Sequence, residues 1–426
     1  MKRALLELIG LRPLLVGLAV LCGALAGAQT NTNPPAPFAL GTYELNLPVL
    51  LLEAKESIAT DQKASLTLRM LSPKGVISGQ TNVIQGTSRI HGGTSRSYPK
   101  KSYNLALTNA VPLLDFRPSA HWILNAAYID RSLMRHKLGY DLFRSLSAPG
   151  APRFASGSRF VEVYLNQDYQ GVYLLMERVD RHLLGWHGYN SNDVNHACLY
   201  KAVDHPANFS APGHAGYEQR EPNAEIKPYW EPMDAFNQFV STAPREAFEH
   251  PQTGIGSRLD LDNAMDFYLL VLLNSNSDGI TKNYFLGRDG YATNTPAPLF
   301  FFAPWDYDGT FGRDWDSSAM PPNDWLSNHL FDRLLENAAF RQRFGVRWKH
   351  LRDHQFSAGA VQALIDENAR TLGDAASRNA TRWPGNQGPY HDRITWAEDV
   401  AQMKTWVVAR IQYLDEEIRR LTASPK

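Results

Sequence analysis

The chain has 426 residues with 43 basic and 43 acidic side chains, so its formal net charge is zero. This balance argues against a nucleic-acid binder driven by bulk charge and against an acidic or basic scaffold. An apolar fraction of 43%, with ten Trp and nineteen Phe, excludes a disordered chain and favours a packed core.

The first 28 residues have the pattern of a secretory signal peptide. Met1-Lys-Arg3 is positive, Leu14–Leu25 is a short apolar run, and Ala26-Gly-Ala28 is a small-residue cleavage site. The apolar run is short for a membrane anchor, and a polar linker with prolines follows at 29–42. We therefore expect cleavage after Ala28 and export to the periplasm, the cell envelope or the medium. We expect no transmembrane anchor in the mature chain.

The first part of the mature chain has strand patterns. From Tyr43 to Ala110 the residues alternate or run apolar between glycines, which predicts strands. Residues 130–146 place leucines at helical spacing, with Asp130 as the expected N-cap. Residues 159–165 and 171–176 predict a hairpin. Residues 202–232 are rich in Pro, Gly, His and Ala and predict an irregular insert.

The second part is mainly helical by pattern. Leu261–Leu273 is a helix-length apolar run, and Trp396–Leu421 has the clearest helical spacing of apolar residues. These patterns predict one domain, 43–426, with a small lobe at about 43–176 and a large lobe at about 177–426. A two-part layout of this kind favours a functional cleft between the lobes.

Two acidic motifs carry the main indication of chemistry. They are Asn274-Ser-Asn-Ser-Asp278-Gly-Ile-Thr-Lys-Asn283 and Pro304-Trp-Asp306-Tyr-Asp308-Gly-Thr-Phe-Gly312. Asp-x-x-x-x-Asn followed by an Asp-containing turn is the order of the catalytic and metal-binding loops of protein kinases. Phosphoryl transfer needs a carboxylate for the hydroxyl proton and oxygen ligands for Mg²⁺. The alternatives are a solvated loop carboxylate at Asp278 and turn chemistry around Gly309.

Taken in order with four other segments, these motifs resemble the spore-coat protein H (CotH) kinase family. The other segments are Gly92–Tyr103, Trp122–Leu138, Val161–Glu177 and Leu199-Tyr-Lys201. The resemblance implies an α+β, atypical protein-kinase-like fold. Such a fold has a small antiparallel β-rich lobe, a larger mainly helical lobe and an active-site cleft between them.

The resemblance also implies an exported atypical protein kinase. It would transfer a phosphoryl group from ATP, with Mg²⁺ or Mn²⁺, to Ser or Thr of secreted or envelope proteins. Asp278 matches the catalytic base that orients the acceptor hydroxyl. Asn283 and Asp306 match metal ligands, and Asp308 competes with Asp306 for that role. The implied nucleotide-binding residues are Lys101 as the phosphate-binding lysine, Lys100 beside it, Arg96, Arg135 facing phosphate, and Glu177 near the hinge.

Departures from ordinary kinases keep other interpretations open. The chain has no Gly-x-Gly-x-x-Gly loop, and residues 130–146 contain no Glu to pair with the lysine. From the residues alone, Lys100-Lys101 fits a solvated strand edge equally well. The alternative function is a nucleotide-binding pseudokinase with a structural role in the cell envelope. A third is a metal-dependent hydrolase using Asp278, Asp306 and Asp308, although such enzymes usually bring His ligands. No nucleic-acid partner is expected.

Overall fold

The computed structural model describes residues 46–71, 83–384 and 392–423. The predicted signal peptide and the linker at 29–42 lie outside these residues, so both stay predictions. Among the helices of the described residues, none is both long enough and apolar enough to span a membrane.

Seven strands in the first part of the described chain close into a barrel: β1 (Val49–Ala54), β2 (Ala64–Leu71), β3 (Ile84–His91), β4 (Ser102–Val111), β5 (Ser119–Asn125), β6 (Ser158–Leu165) and β7 (Asp168–Glu177). Their order around the barrel is β1-β2-β3-β4-β5-β7-β6, and β1 closes it by pairing in parallel with β6. Alternate residues such as Leu66, Leu68 and Met70 fill the interior, because side chains of a strand alternate between its two faces.

A second, antiparallel sheet contains β8 (Cys198–Ala202), β9 (Tyr217–Glu221), β10 (Tyr284–Arg288) and β11 (Phe301–Pro304). Its strand order is β11-β10-β8-β9. The register places Ala202, Tyr284 and Pro304 side by side. The end of β8, the start of β10 and the end of β11 therefore lie at the same end of this sheet. Both acidic motifs are adjacent to that end.

Helices complete the second part of the chain. α5 is buried from Asn263 to Asn274, as its mostly apolar sequence predicts, and it packs against β11 and α9. The described helices are α1 (Arg135–Arg144), α2 (Arg181–Leu184), α3 (Glu231–Thr242), α4 (Arg245–Phe248), α5 (Leu261–Asn274), α6 (His329–Glu336), α7 (Ala338–Asp353), α8 (Ala358–Arg382) and α9 (Trp396–Ala423).

Helix α8 is joined to the barrel by polar side chains that are buried in the complete fold. The Lys100 Nζ donates to Asn379 Oδ1 at 2.9 Å, and the same oxygen accepts from the Val172 N–H at 3.1 Å. The Arg378 Nε donates to Glu162 Oε1 at 2.9 Å. Burial lowers the pKa of Lys100 well below its ordinary value. The barrel and the C-terminal helices are thus held together by specific bonds.

The predicted kinase-like arrangement of two lobes with a cleft between them is wrong. The β-rich part is a closed barrel because β1 pairs in parallel with β6, and the second part contains a four-stranded sheet as well as helices. Residues Tyr43–Lys426 form one compact unit. The mixed α+β composition of the prediction is confirmed.

Local predictions fared unevenly. The hairpin at 159–176 is confirmed as β6 and β7, and the helix from Trp396 is confirmed as α9. Helix α1 begins only at Arg135, and its N-cap residue is Met134 rather than Asp130. The expected irregular insert contains β9, so that prediction is wrong in part.

Candidate functional site

Asp306 and Asp308 lie on the turn after β11, next to helix α1. Asp306 has φ +58°, in the left-handed region that Asp tolerates better than most residues. Helix α1 holds this turn by two bonds. The Asp306 N–H donates to the Tyr140 hydroxyl at 3.0 Å, and the Tyr307 N–H donates to His136 Nδ1 at 2.9 Å. The side chains of Asp306 and Asp308 are 45% and 27% exposed to solvent, so a ligand can reach both carboxylates.

His136 is the buried neighbour of this acidic pair. Its Nε2 lies 3.8 Å from Asp306 Oδ1 and 3.8 Å from Asp308 Oδ2. Burial lowers the pKa of His136, whereas Asp306 and Asp130 act to raise it. The Tyr307 N–H occupies Nδ1, so Nε2 is the ring nitrogen that faces both carboxylates. The side-chain nitrogen of Asn125 also lies 3.3 Å from Nε2.

The acidic pair carries charge that the surrounding protein does not neutralise. Burial raises the pKa of Asp308 well above its ordinary value, and the Asp306 charge raises it further. A bound cation would relieve this repulsion. Carboxylate oxygens are ligands that Mg²⁺ and Mn²⁺ prefer. A metal ion needs several ligand atoms close together. Among the His, Cys, Asp and Glu side chains of the described residues, those of His136, Asp306 and Asp308 meet this condition, with ligand atoms within 4.8 Å of one another.

Asn283 lies beside the strand that leads to Asp306. Its N–H donates to the Ala202 carbonyl at 3.0 Å, and its carbonyl accepts from the Trp305 N–H at 3.0 Å. Its φ of +60° is again in the left-handed region, where Asn is tolerated. The Asn283 backbone therefore joins β8 to the residue that precedes Asp306.

Asp278 lies on the loop that follows α5. Its carboxylate has Lys282 Nζ at 3.2 Å from Oδ2 and His205 Nε2 at 3.9 Å from Oδ1. The start of this loop bonds to the segment that follows Asp308, since the Phe311 N–H donates to the Asn274 carbonyl at 2.8 Å. The two acidic motifs are thus neighbours in the fold.

Lys201 and His91 were not predicted as site residues, yet both face this region. Lys201 Nζ lies 5.3 Å from the centroid of the Trp305 ring. Burial lowers the pKa of Lys201, and the Asp306 charge acts to raise it. Burial, and then the Lys201 charge, lowers the pKa of His91 to about 4. Lys201 and His136 lie in two of the segments that carry the family resemblance, Leu199-Tyr-Lys201 and Trp122–Leu138, so both had a sequence signal, whereas His91 had none.

The loop before β4 lies next to the acidic pair. Burial raises the pKa of Tyr98, and the negative charges of Asp308 and Asp306 raise it further. Two predicted nucleotide-binding residues bond to each other in this loop, where Lys101 Nζ donates to the Arg96 carbonyl at 2.7 Å. The predicted phosphate-binding lysine therefore has a partner within its own loop.

Three other predicted nucleotide-binding residues have partners within the fold. Lys100 is buried against helix α8, as described above. Arg135 is buried, and its Nη1 donates to Asp399 Oδ2 at 2.9 Å. Glu177 forms an ion pair with Arg117, with Nε and Oε1 3.0 Å apart. These contacts do not bring the three side chains together, and their roles toward a nucleotide stay predictions.

Comparisons with known proteins agree with one another. A family model described as "CotH kinase protein" matches residues 88–414, a range that includes both acidic motifs. "Inner spore coat protein H" of Bacillus subtilis (strain 168) is 30% identical to this chain over 267 residues. That alignment covers 59% of this chain and 67% of the relative.

Proposed function

The chain belongs to the CotH kinase protein family, as its ordered motifs predict, and from that premise we propose that it is an atypical protein kinase. The proposed reaction transfers the γ-phosphoryl group of ATP to a Ser or Thr hydroxyl of a polypeptide. A divalent cation, Mg²⁺ or Mn²⁺, takes part. Family membership supports the kinase-like role, and the donor, the metal and the acceptor belong to the proposal.

The observation that carries the proposal is that buried Lys201, packed on the Trp305 ring, interacts electrostatically with Asp306, which lies beside Asp308. The two carboxylates offer ligands for a divalent cation, and the buried amine offers a positive charge for phosphate oxygens. A metal-bound polyphosphate needs both kinds of group within a few ångströms. This arrangement supports a nucleoside triphosphate better than it supports a hydrolytic metal centre, because such centres usually bring several His ligands, whereas among the described residues this group contains one His and two carboxylates.

In this proposal Asp306, Asp308 and the Asn283 amide oxygen hold the divalent cation. His136 holds the turn that carries the two carboxylates by accepting the Tyr307 N–H at Nδ1. When bound, the cation neutralises charge on the β- and γ-phosphates.

Asp278 is the proposed base. The acceptor hydroxyl oxygen forms a bond to the γ-phosphorus while the bond from that phosphorus to the β–γ bridging oxygen breaks. ADP leaves with the electron pair, and the hydroxyl proton passes to the Asp278 carboxylate. The Asp278 side chain keeps 21% of its exposure, so an acceptor can approach it.

The test is incubation of the full mature protein with γ-labelled ATP and Mg²⁺ or Mn²⁺, with dephosphorylated casein as the acceptor probe. Phosphoprotein, either casein or the protein itself, is then mapped by mass spectrometry. We expect Asp278→Asn to lower transfer by at least about a hundredfold, as loss of a general base does. The same variant should keep the rise in melting temperature that ATP with metal produces.

Asp353→Asn is the matched control, because Asp353 is an exposed aspartate on α7 whose ion pair with Lys349 is worth little. It should transfer phosphate at the wild-type rate. Wild-type transfer by Asp278→Asn would contradict the role of this residue. Absence of transfer by every form of the protein would contradict the kinase proposal.

The contacts of Lys100 and Lys101 favour a second candidate function, a nucleotide-binding pseudokinase with a structural role in the cell envelope. Lys100 is bonded to Asn379, and Lys101 is bonded to its own loop, so neither is free of protein partners. Metal-dependent stabilisation by ATP without transfer to any protein would favour this candidate.

For location, we propose a protein of the cell envelope or of an outer coat. The relative's name places that protein in an inner spore coat. Together with the predicted signal peptide, this favours a mature chain that begins at Gln29. Mass spectrometry of the envelope fraction tests it, and a chain there that retains Met1 would contradict cleavage after Ala28.

A further inference from the structure

The segment 203–216, part of the predicted irregular insert, is folded against the Asp278 loop. Its ends meet, because the Val203 N–H donates to the Gly216 carbonyl at 2.8 Å. Gly216 has φ +82°, and a Cβ there would lie 2.6 Å from the Ala207 nitrogen, so this close approach requires glycine. The fixed backbone positions His205 close to the end of the segment where its two ends meet.

The His205 ring contacts the Asp278 loop on both of its nitrogen edges. Nδ1 lies 2.9 Å from Thr281 Oγ1, a hydrogen bond that orients the ring. Nε2 lies 3.9 Å from Asp278 Oδ1. When the Thr281 hydroxyl donates to Nδ1, the neutral ring carries its hydrogen on the edge that faces Asp278.

The two oxygens of Asp278 therefore have different neighbours. Lys282 Nζ lies 3.2 Å from Oδ2 and occupies that side of the carboxylate. The 3.9 Å distance between His205 Nε2 and Asp278 Oδ1 is longer than a hydrogen bond. A hydroxyl oxygen placed beside this gap can lie at hydrogen-bond distance, about 2.8 Å, from both groups. It would donate to Asp278 and accept from His205.

We propose that His205 orients the acceptor hydroxyl at Asp278, on the side opposite to Lys282. The inference rests on the proposed function, and it assigns the acceptor entrance to the segment 203–216 rather than to the barrel. His205 keeps 60% of its exposure, so an incoming polypeptide can contact it directly. The metal and nucleotide side of the site does not depend on it.

Two variants of His205 separate the roles of its two ring nitrogens, and a third variant elsewhere serves as the control. His205→Asn keeps an amide near the position of Nδ1, and so keeps the bond to Thr281, but it removes the edge that faces Asp278. His205→Gln places an amide near the position of Nε2. His187→Ala, at an exposed histidine before β8, is the control.

Transfer from γ-labelled ATP to dephosphorylated casein is measured with each protein, along with the melting temperature with and without ATP and metal. We expect His205→Asn to lower kcat/KM for casein by roughly tenfold to a hundredfold, as misplacement of a reacting group does. His205→Gln should recover most of that loss. KM for ATP and the ATP-dependent rise in melting temperature should match the wild type in all variants.

Wild-type kcat/KM for casein in His205→Asn would overturn the inference while leaving the proposed kinase activity intact. So would a loss that is accompanied by weaker ATP stabilisation, since that result would indicate a merely structural role. If the wild type transfers phosphate neither to casein nor to itself, the proposed function fails and this inference fails with it.

Discussion

Helix α1 contributes adjacent residues to two charged clusters that differ in how their charge is balanced. Arg135 belongs to a cluster of arginines and aspartates under the start of α9, and His136 belongs to the acidic pair of Asp306 and Asp308. Successive helix residues point about 100° apart, so one turn of α1 serves both.

The first cluster balances its charges. Arg135 pairs with Asp130 at 2.5 Å and with Asp399 at 2.9 Å, and Asp399 also pairs with Arg313 at 2.8 Å. Burial acts to raise the pKa of Asp399, but its two arginine partners lower it below the ordinary value. Among the described residues, this cluster also includes the ion pairs of Asp392 with Arg131 and Arg313.

The acidic pair is left with excess negative charge, and the pKa of Asp308 moves in the opposite direction, upward. The contrast separates a cluster whose carboxylates are paired with arginines from a pair of carboxylates whose negative charges repel each other. Carboxylates that fasten α9 to α1 are fully paired with arginines, whereas carboxylates beside Lys201 retain capacity for a ligand. The predictions below test that distinction, beginning with the largest expected effect.

Breaking the balanced cluster should cost the most stability. Asp399→Asn leaves the buried Arg135, whose side chain is 2% exposed, with one carboxylate fewer. We expect the free energy of unfolding to fall by about 3–5 kcal/mol, as for other broken buried pairs. Urea denaturation measures it, with Asp353→Asn as the exposed control. A loss below about 1 kcal/mol would show that the cluster is not structural.

Removing the amine beside the acidic pair should weaken nucleotide binding without weakening the fold. Lys201→Met keeps the length of the side chain and its packing on Trp305. We expect the affinity for ATP with Mg²⁺ to fall by roughly a hundredfold, about 2.7 kcal/mol, as for loss of a charged hydrogen bond. Calorimetric titration measures it, and Lys349→Met on the surface of α7 should bind as the wild type does. An affinity within threefold of wild type, by order of magnitude, would remove Lys201 from the site.

The low pKa of His91 predicts a dependence of stability on pH. With a folded pKa of about 4 and an ordinary value of 6.5, the unfolded chain binds the proton more readily between these pH values. The stability that neutral His91 contributes is therefore complete above pH 6.5 and is lost as the pH falls toward 4. We expect the wild type to lose about 2 kcal/mol more than His91→Gln over this range.

Denaturation curves of the wild type and His91→Gln at several pH values measure this difference, with His187→Gln as the control. Parallel pH profiles for the wild type and His91→Gln would show that burial of His91 does not disfavour its charged form.

Neutralising one member of the acidic pair should have the smallest effect on stability. Asp308→Asn removes a charge that is repelled by Asp306, and its side-chain oxygen can still accept from the Gly309 N–H. We expect the free energy of unfolding to rise by up to about 1 kcal/mol at pH 7. The metal-dependent rise in melting temperature with ATP should disappear. A stability loss as large as that of Asp399→Asn would erase the distinction between the two clusters.

The sequence locates the acidic loops well and the partners of α1 poorly. Asp278 and Asp306 are predicted from local order, a loop carboxylate followed by a second one after a strand, and the structure places their two loops next to each other, while their chemical roles stay predictions. The surroundings of Arg135 depend on Asp399, which is distant in the sequence, and no local pattern reports that pairing. The closure of the barrel by β1 and β6 is equally non-local, which is why the two-lobed fold was predicted instead of a closed barrel.

The bonds between the barrel and α8 join residues that are far apart in the sequence. Arg378 and Asn379, from a helix near the end of the chain, bond to Glu162 of β6 and to Lys100 just before β4, and both of these residues are buried in the complete fold. Buried polar groups need such partners, because a buried group without one costs stability. Helix α8 both covers these charged groups and supplies their partners, so the outer face of the barrel is complete only when this late segment has been made and has packed on it.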